Sequence, residues 1–279
     1  MDFVISLSTI PPRMPHLAPV LQSLLAQQSP AREVVLWLPR RYRRFPDWDG
    51  ALPDLPRGVR VARCDEDWGP ATKILPALAE YRGAGAEILF CDDDSLYPPH
   101  WAAAFAAARA GHPGAIIAGQ GQHHADIRPE MRPAARRPRM EGWTRASLSA
   151  HLAALPPPLP PAPPVIRRSG YADQFLGRAG ALVRADFFTD EVFAIPPLLW
   201  GHDDLWLSGQ AEAGEVGIWC DARIPNPASV RCLRLIRPLL HDRIDGRDRD
   251  TMQAEGVAHL RATLGIWMVE PPGGEVVPL

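Results

Sequence analysis

A chain of 279 residues, 46% of them hydrophobic, can bury a full core, either as one large α/β domain or as two small ones. A formal net charge of −2 and a pI near 6.5 exclude the basic face by which electrostatic nucleic-acid binders are recognised. No apolar stretch approaches the length of a membrane span, so at most a peripheral membrane contact is expected.

Residues 3 to 8 alternate and run apolar, which predicts a first strand that Ser8-Thr9-Ile10-Pro11-Pro12-Arg13 ends. Leu17, Val20, Leu21, Leu24 and Leu25 then recur at helical spacing and predict a helix over about 16–28. Val34 to Leu38 reads as a second strand, followed by a basic loop, Arg40 to Arg44, whose ordinary role is a solvated face. Val59 to Cys64 alternates as a third strand and ends at Asp65-Glu66-Asp67. Strand, helix, strand, loop and strand at this spacing predict right-handed crossovers and a mostly parallel sheet. Pro70 suits the first turn of the next helix, which places Lys73 in that turn and Ile74, Leu75 and Leu78 on its buried stripe.

The strand of residues 86–91 ends in Asp92-Asp93-Asp94, and Pro98-Pro99 open a helix to about residue 110 with Trp101, Phe105 and Ala108 inward. Three adjacent acids repel one another and are costly beside a buried strand end without a cation. The carboxyl end of a strand in an open α/β sheet is also where ligands bind, and carboxylates there suit a hard divalent ion. A solvated acidic loop is the plain alternative. Ala115 to Ala118 predicts another short strand. From Gly119 to about residue 170 the pattern fails: His123, His124, many arginines and seven prolines between Pro156 and Pro164 read as a loop-rich insertion. Gln174 to Arg184 reads as one glycine-containing strand. The second acidic cluster, His202-Asp203-Asp204, enters a helix, where one Asp suffices as a cap and the other is left for general-base work. Val216 to Cys220 predicts a strand, and residues 257–268 a short closing helix.

Two compositional features bear on chemistry and compartment. Of the 30 basic residues only Lys73 is lysine, so an ammonium survives at one place in an arginine-biased chain. A lysine at a helix start opposes the dipole unless a negative group meets it. The four cysteines, Cys64, Cys91, Cys220 and Cys232, form no C-x-x-C pair, which argues against a zinc knuckle or disulfide scaffold. Three of them lie in or beside apolar runs, as buried thiols of a reducing compartment do. Phe3 to Leu7 is too short for a signal-peptide core. A cytoplasmic protein is expected.

The order of these motifs resembles a GT-A fold glycosyltransferase, close to the family-2-like bacterial nucleotide-sugar transferases. The resemblance covers most of the chain from Phe3 to about Cys220 and rests on four parts: Ser8 to Arg13, Gly69-Pro70-Ala71-Thr72-Lys73, the acidic triplet, and Asp203-Asp204 after the insertion. It implies a single Rossmann-like α/β domain over 1–279, with a mostly parallel central sheet flanked by helices. Residues 1–118 would form the nucleotide-binding half, 119–170 an irregular Pro/Arg insertion, and 171–279 the acceptor-side half with its tail. Residue by residue, Asp92 and Asp94 match the family's Asp-X-Asp. Asp94 would bind Mn2+ or Mg2+, and Asp92 would touch the ribose or share the metal. Thr9 and Pro11 match the wall that meets the nucleotide, and Asp65 the acid that contacts the base. Lys73 matches a helix-start position near the nucleotide, and Arg13 and Asp93, within the same motifs, join the donor-binding set. Asp204 matches the general base of inverting enzymes, preceded here by Asp203 where the family has Glu. His241 matches, by position, a late metal ligand.

The activity so implied is metal-dependent transfer of a hexose from a nucleotide diphosphate sugar, a UDP-sugar favoured, to a hydroxyl acceptor such as a saccharide, with no nucleic-acid partner. Two other readings remain open at this level. A sugar-nucleotide pyrophosphorylase needs a glycine-rich basic loop after the first strand, where this chain has prolines. A catalytically silent nucleotide- or metal-binding module would use the insertion as a docking arm and would have no need of Asp204.

Overall fold

Apolar alternation in the first strand divides the protein into two packed layers. In a computed structural model, which describes residues 2–52, 54–128, 131–143, 165–230, 232, 233, 236 and 249–269, strand β1 spans Phe3–Ser8. Its Phe3, Ile5 and Leu7 point to one face of a sheet and Val4 to the other. The chain continues through helix α1 (Ala18–Leu25), strands β2 (Val34–Pro39) and β3 (Val59–Cys64), helix α2 (Leu75–Tyr81), strands β4 (Glu87–Phe90) and β5 (Ser95–Leu96), helix α3 (Trp101–Gly111) and strand β6 (Ile116–Ala118). Strands β7 (Gly121–Gln122), β8 (Glu141–Trp143), β9 (Val165–Arg168), β10 (Gly170–Ala172), β11 (Gln174–Phe175) and β12 (Ala181–Arg184) follow. Helix α4 (Asp203–Ala213), strands β13 (Ile218–Cys220) and β14 (Ala228–Ser229) and helix α5 (Arg249–Leu264) end the described chain.

Eight strands form the central sheet in the order β10-β13-β6-β12-β4-β1-β2-β3. The pairs β4–β1, β1–β2, β2–β3 and β13–β6 are parallel, so the sheet is mostly parallel, as expected. Strand β12 runs antiparallel to both β4 and β6, and β10 antiparallel to β13. Helices α1 and α3 cover the face that carries Phe3, Ile5, Leu7, Leu36 and Leu89. The other face, with Val4, Val35, Ile88 and Phe90, is covered by α2, α4 and α5 through Leu75, Leu78, Leu205, Leu207 and Leu260. Each large apolar side chain so buried contributes roughly 1.5–3 kcal/mol. The two clusters are the two faces of one sheet.

Local differences from the sequence reading have physical causes. The helix expected over 16–28 is present but shorter, as α1 over Ala18–Leu25; a 3-10 turn, Pro11–His16, precedes it, and Pro19 falls in its first turn, where no amide is needed. The single strand expected over 174–184 is broken: a 3-10 turn at Gly177–Ala179 separates β11 from β12. Gly180, at φ +92°, makes the return; a β-carbon there would sit 2.4 Å from the Trp101 ring. Within residues 119–170, the described portions hold β7, β8 and β9 and an ion-pair knot around Asp173, more order than composition suggested. The prolines at 156–164 lie outside the described residues. Cys64, Cys91 and Cys220 are buried free thiols, and Cys232 is free and exposed.

Candidate active site

The C-terminal ends of parallel strands β1 and β4 lie side by side, and the acidic triplet leaves the sheet there. Phe90 and Cys91 anchor the end of the strand in opposite core layers. Cys91 is held by its amide to the Ser6 carbonyl (3.1 Å). The triplet then turns into β5, which pairs with β14, while Val230 donates its amide to the Asp94 carbonyl at 2.8 Å. Tyr97 donates its hydroxyl to the Asp92 carbonyl (2.8 Å) and stacks toward Trp101. The start of α3 is capped from a distance: Gln27 accepts from the Ala102 amide and donates to the Pro98 carbonyl.

Lys73 is the residue on which this edge converges. It closes a 3-10 turn, Gly69–Lys73, and so stands ahead of α2, whose first turn it was expected to occupy. Pro70 does open that turn, and the Ser6 hydroxyl fastens it by donating to the Lys73 carbonyl at 2.6 Å. The Lys73 side chain is only 5% exposed overall as a residue, and its Nζ lies 2.6 Å from Asp92 Oδ1, 2.9 Å from Asp203 Oδ2 and 4.0 Å from Asp204 Oδ1. The anion that a lysine in this setting requires is thus supplied from within the chain. Burial by itself depresses the Lys73 ammonium; Asp203, Asp92 and Asp204 outweigh it and hold the group well above its usual value. The same pairing lets Asp92 stay below the usual carboxylate range against the effect of burial.

Asp203 and Asp204 begin α4, with His202 before them, and neither acts as a side-chain cap. Asp204 accepts the Gly177 amide at 2.9 Å. A β-carbon on Gly177 would lie 2.7 Å from Asp204 Oδ1 and 3.1 Å from Lys73 Nζ, so only glycine lets the turn after β11 close over both. Burial, then the charge of Asp203, push Asp204 up to about 7 against the pull of Lys73. A carboxylate with that value exchanges protons near neutral pH, which is what a general base requires.

The other acids of the triplet have separate surroundings. Asp93 is buried and accepts from the Thr9 hydroxyl (2.5 Å) and from Arg13 Nη1 (2.5 Å), so it ties the loop after β1 to the strand end. Burial still holds its carboxyl above the usual value. Asp94 has no short ion pair, Arg13 being 3.7 Å away, and burial with the charges of Asp92 and Asp93 pushes it up to about 6. Pro11 stands at the start of the 3-10 turn that carries Arg13. Asp65 sits at the same sheet edge beyond β3, but its side chain is 93% exposed and paired with Arg40 at 2.7 Å, apart from the cluster. The less exposed acid of that loop is Asp67, half-buried, which accepts the Arg43 and Gly69 amides. His241 lies outside the described residues.

Two features of this edge escape the sequence reading. In the sequence Gly177 reads as a glycine inside a strand, a mark of close ligand approach or a bulge, with no link to Asp204. Arg178 was read as part of the strand, yet its charge bears on Asp92 and Asp94, and its Nη2 donates to the Ser229 hydroxyl at 2.9 Å. No local pattern marks either one, because their partners are fixed by tertiary placement.

The donor set can be tested against a divalent cation. Among the described residues no three His, Cys, Asp or Glu side chains converge on one point. Asp94, raised and without a short partner, and the second oxygen of Asp92 supply two hard oxygen donors. That fits an ion bound through one or two carboxylates with water and ligand phosphates completing its shell, the usual habit of Mg2+. Adjacent His123 and His124 do not add to it: His123 lies among Arg139, Met140 and Asp173, and the His124 ring packs on Trp267.

Fold and site together define an α/β protein with a carboxylate cluster at the carboxyl edge of its parallel strands, the place where such sheets bind ligands. The chain matches no protein-family model, and no curated protein matches it in sequence. Among solved structures it is similar to TarS of S. aureus. Residues 1–349 of TarS in complex with UDP align with a TM-score of 0.45 and 15% identity over 94% of this chain and 72% of that one. A second structure of TarS residues 1–349 gives the same values. A longer TarS structure matches at the same score and identity over 44% of its length.

Proposed function

We propose that this chain is a glycosyltransferase that moves a hexose from a nucleotide diphosphate sugar, a UDP-sugar favoured, to a hydroxyl acceptor with inversion at the anomeric carbon. The observation that carries this reading is the convergence of Asp92, from a strand end, and Asp203-Asp204, from a helix start, on one buried ammonium. It sets a carboxylate tuned to about 7 beside the acidic turn suited to a charged donor. The same order of motifs along the chain supports it.

In this reading the acceptor hydroxyl attacks the anomeric carbon from the face opposite the diphosphate. Asp204 takes the hydroxyl proton as the new C–O bond forms and the bond to the phosphate oxygen breaks. Asp94 and Asp92 would hold Mn2+ or Mg2+, which supplies Lewis-acid neutralisation of the leaving diphosphate. Arg13 and Arg178 flank the turn and add positive charge for the departing phosphates. Lys73 acts through the acids it holds. Thr9 and Pro11 line the nucleotide side, and Asp93 keeps Arg13 in place. Among the described residues no helix is long and apolar enough to cross a membrane, and the four cysteines are free, which favours a reducing, cytoplasmic setting.

The test is a thermal-shift screen of nucleoside diphosphates with and without Mn2+, followed by release of sugar from the matching donor. Ligand stabilisation follows from linkage. One diphosphate that stabilises the chain with Mn2+, loses that effect in Asp94→Asn, and whose sugar ester is slowly hydrolysed supports the reading. Stabilisation with no sugar release under any acceptor condition would reduce the protein to a binding module.

A further inference from the structure

Away from the carboxylate cluster, a cavity of about 310 Å³ is lined by Arg132, Pro133, Arg136, Arg137, Pro138 and Arg139. Four arginines therefore line one small space. Arg132 and Arg139 both pair with a single carboxylate, Asp173. Arg136 pairs with Glu212, and Arg137 is exposed with no partner among the described residues. Four positive charges thus face two negative ones, an excess of two. The arrangement is not a solvated surface run, because the side chains of Arg132 and Arg136 are only 13% and 12% exposed. Burial depresses the Arg139 guanidinium, and the charges of Arg132 and Arg136 depress it further, against Asp173. Guanidiniums crowded and partly desolvated in this way are stabilised by an anion that accepts several N–H donors at once, and tetrahedral phosphate fits their planar forks.

We infer that this arginine-lined pocket is a second anion site that binds a phosphate group, carried by a small phosphate ester or by the end of a larger chain. It rests on the same elements as the candidate catalytic acids. Glu212, partner of Arg136, ends the helix that Asp204 begins, eight residues or about 12 Å along its axis. Asp173 directly precedes β11, which leads to Gly177 and its bond to Asp204. A phosphate held there lies on the flank of α4, within reach of an extended acceptor whose hydroxyl meets Asp204. That last step rests on the proposed transfer reaction; the pocket itself does not.

The experiment is calorimetric titration of the full chain at low ionic strength, without metal or donor, with inorganic phosphate in one arm and a monophosphorylated oligosaccharide in the other. Both should bind and weaken steeply with salt. Arg137→Glu should weaken them about tenfold or more, the loss of a charge-assisted contact, and Arg32→Gln, at a surface arginine paired with Asp2, should leave them unchanged. Tighter binding of the oligosaccharide identifies an acceptor-borne phosphate, and equal binding a free ester; both keep the site. No binding by the wild-type chain, or weakening by Arg32→Gln in place of Arg137→Glu, overturns it. Arg137→Gln, milder at an exposed position, serves if the charge reversal disturbs folding. Because no nucleotide donor or metal is present, failure here leaves the transfer reaction untouched.

Discussion

Lys73 separates two accounts of a buried ammonium by a single substitution. If it chiefly holds carboxylates together, Lys73→Met leaves Asp92, Asp203 and Asp204 facing one another without a cation, and breaking such a buried set costs about 3–5 kcal/mol. Urea denaturation should show that loss even without ligand. Were Lys73 chiefly a phosphate contact, stability would hardly move and donor affinity would fall. Asp204→Asn keeps the shape and removes the proposed base, so under the proposed reaction transfer should drop by about 10²–10⁴-fold with donor affinity nearly intact. In the unsubstituted protein the transfer rate should rise with pH through about 7, as Asp204 loses its proton. Full transfer by the Asn variant, or a flat profile across that range, would remove Asp204 from the role of base.

At the level of elements, the site depends on two short 3-10 turns that bring their residues closer than regular helices would. One ends in Lys73 and is pinned by Ser6; the other begins at Gly177. Gly177→Ala inserts a β-carbon 2.7 Å from Asp204 Oδ1, so the carboxylate or the turn must shift. Overpacking of this kind costs about 1–3 kcal/mol. Under the proposed transfer reaction, steady-state kinetics should show kcat reduced more than donor KM, since the displaced group is the proposed base and the loop proposed to meet the nucleotide, Thr9 to Arg13, is untouched. Equal effects on both parameters would mean that the turn also supports donor binding. Strand β12 contributes at the same scale: its antiparallel insertion between β4 and β6 brings Gly177 and Arg178 back to the strand end that carries the acids.

Across the whole molecule, the unusual acids impose a pH dependence on stability. Asp204 and Asp94 sit at about 7 and about 6 in the folded chain, above the roughly 4 of an unfolded carboxyl. Between those limits the native state binds more protons than the unfolded one, so their contribution falls as pH rises from about 4 through 7. Asp173 works the other way. Burial would raise it, but His123, Arg132 and Arg139 hold it far below the usual range, and its contribution is lost only as pH falls below about 4. In metal-free buffer the melting temperature should therefore be higher at pH 5.5 than at pH 8. The Asp94→Asn, Asp204→Asn double variant should flatten that difference. A parent protein most stable at pH 8 without metal would contradict the crowding of acids described here.

Much of this architecture can be read along the chain because it depends on neighbours a few residues apart. Alternation in Phe3–Ser8 and Val59–Cys64, the stripe of Trp101, Phe105 and Ala108, and the sudden acids after Phe90 each report a local period or its end. The solitary lysine and the two acidic clusters were visible as chemistry in want of partners. Their pairing was not, since Lys73, Asp92 and Asp203 are brought within hydrogen-bond reach by strand order and by α4 packing across the sheet. Asp65 illustrates a different case: the family resemblance implies a contact with the base, and the loop holds its side chain exposed and paired with Arg40, apart from the buried acids. Whether a carboxylate is exposed or buried against another charge is decided by segments that meet only when the sheet closes. For that reason the protonation chemistry of Asp94 and Asp204 belongs to the folded molecule alone.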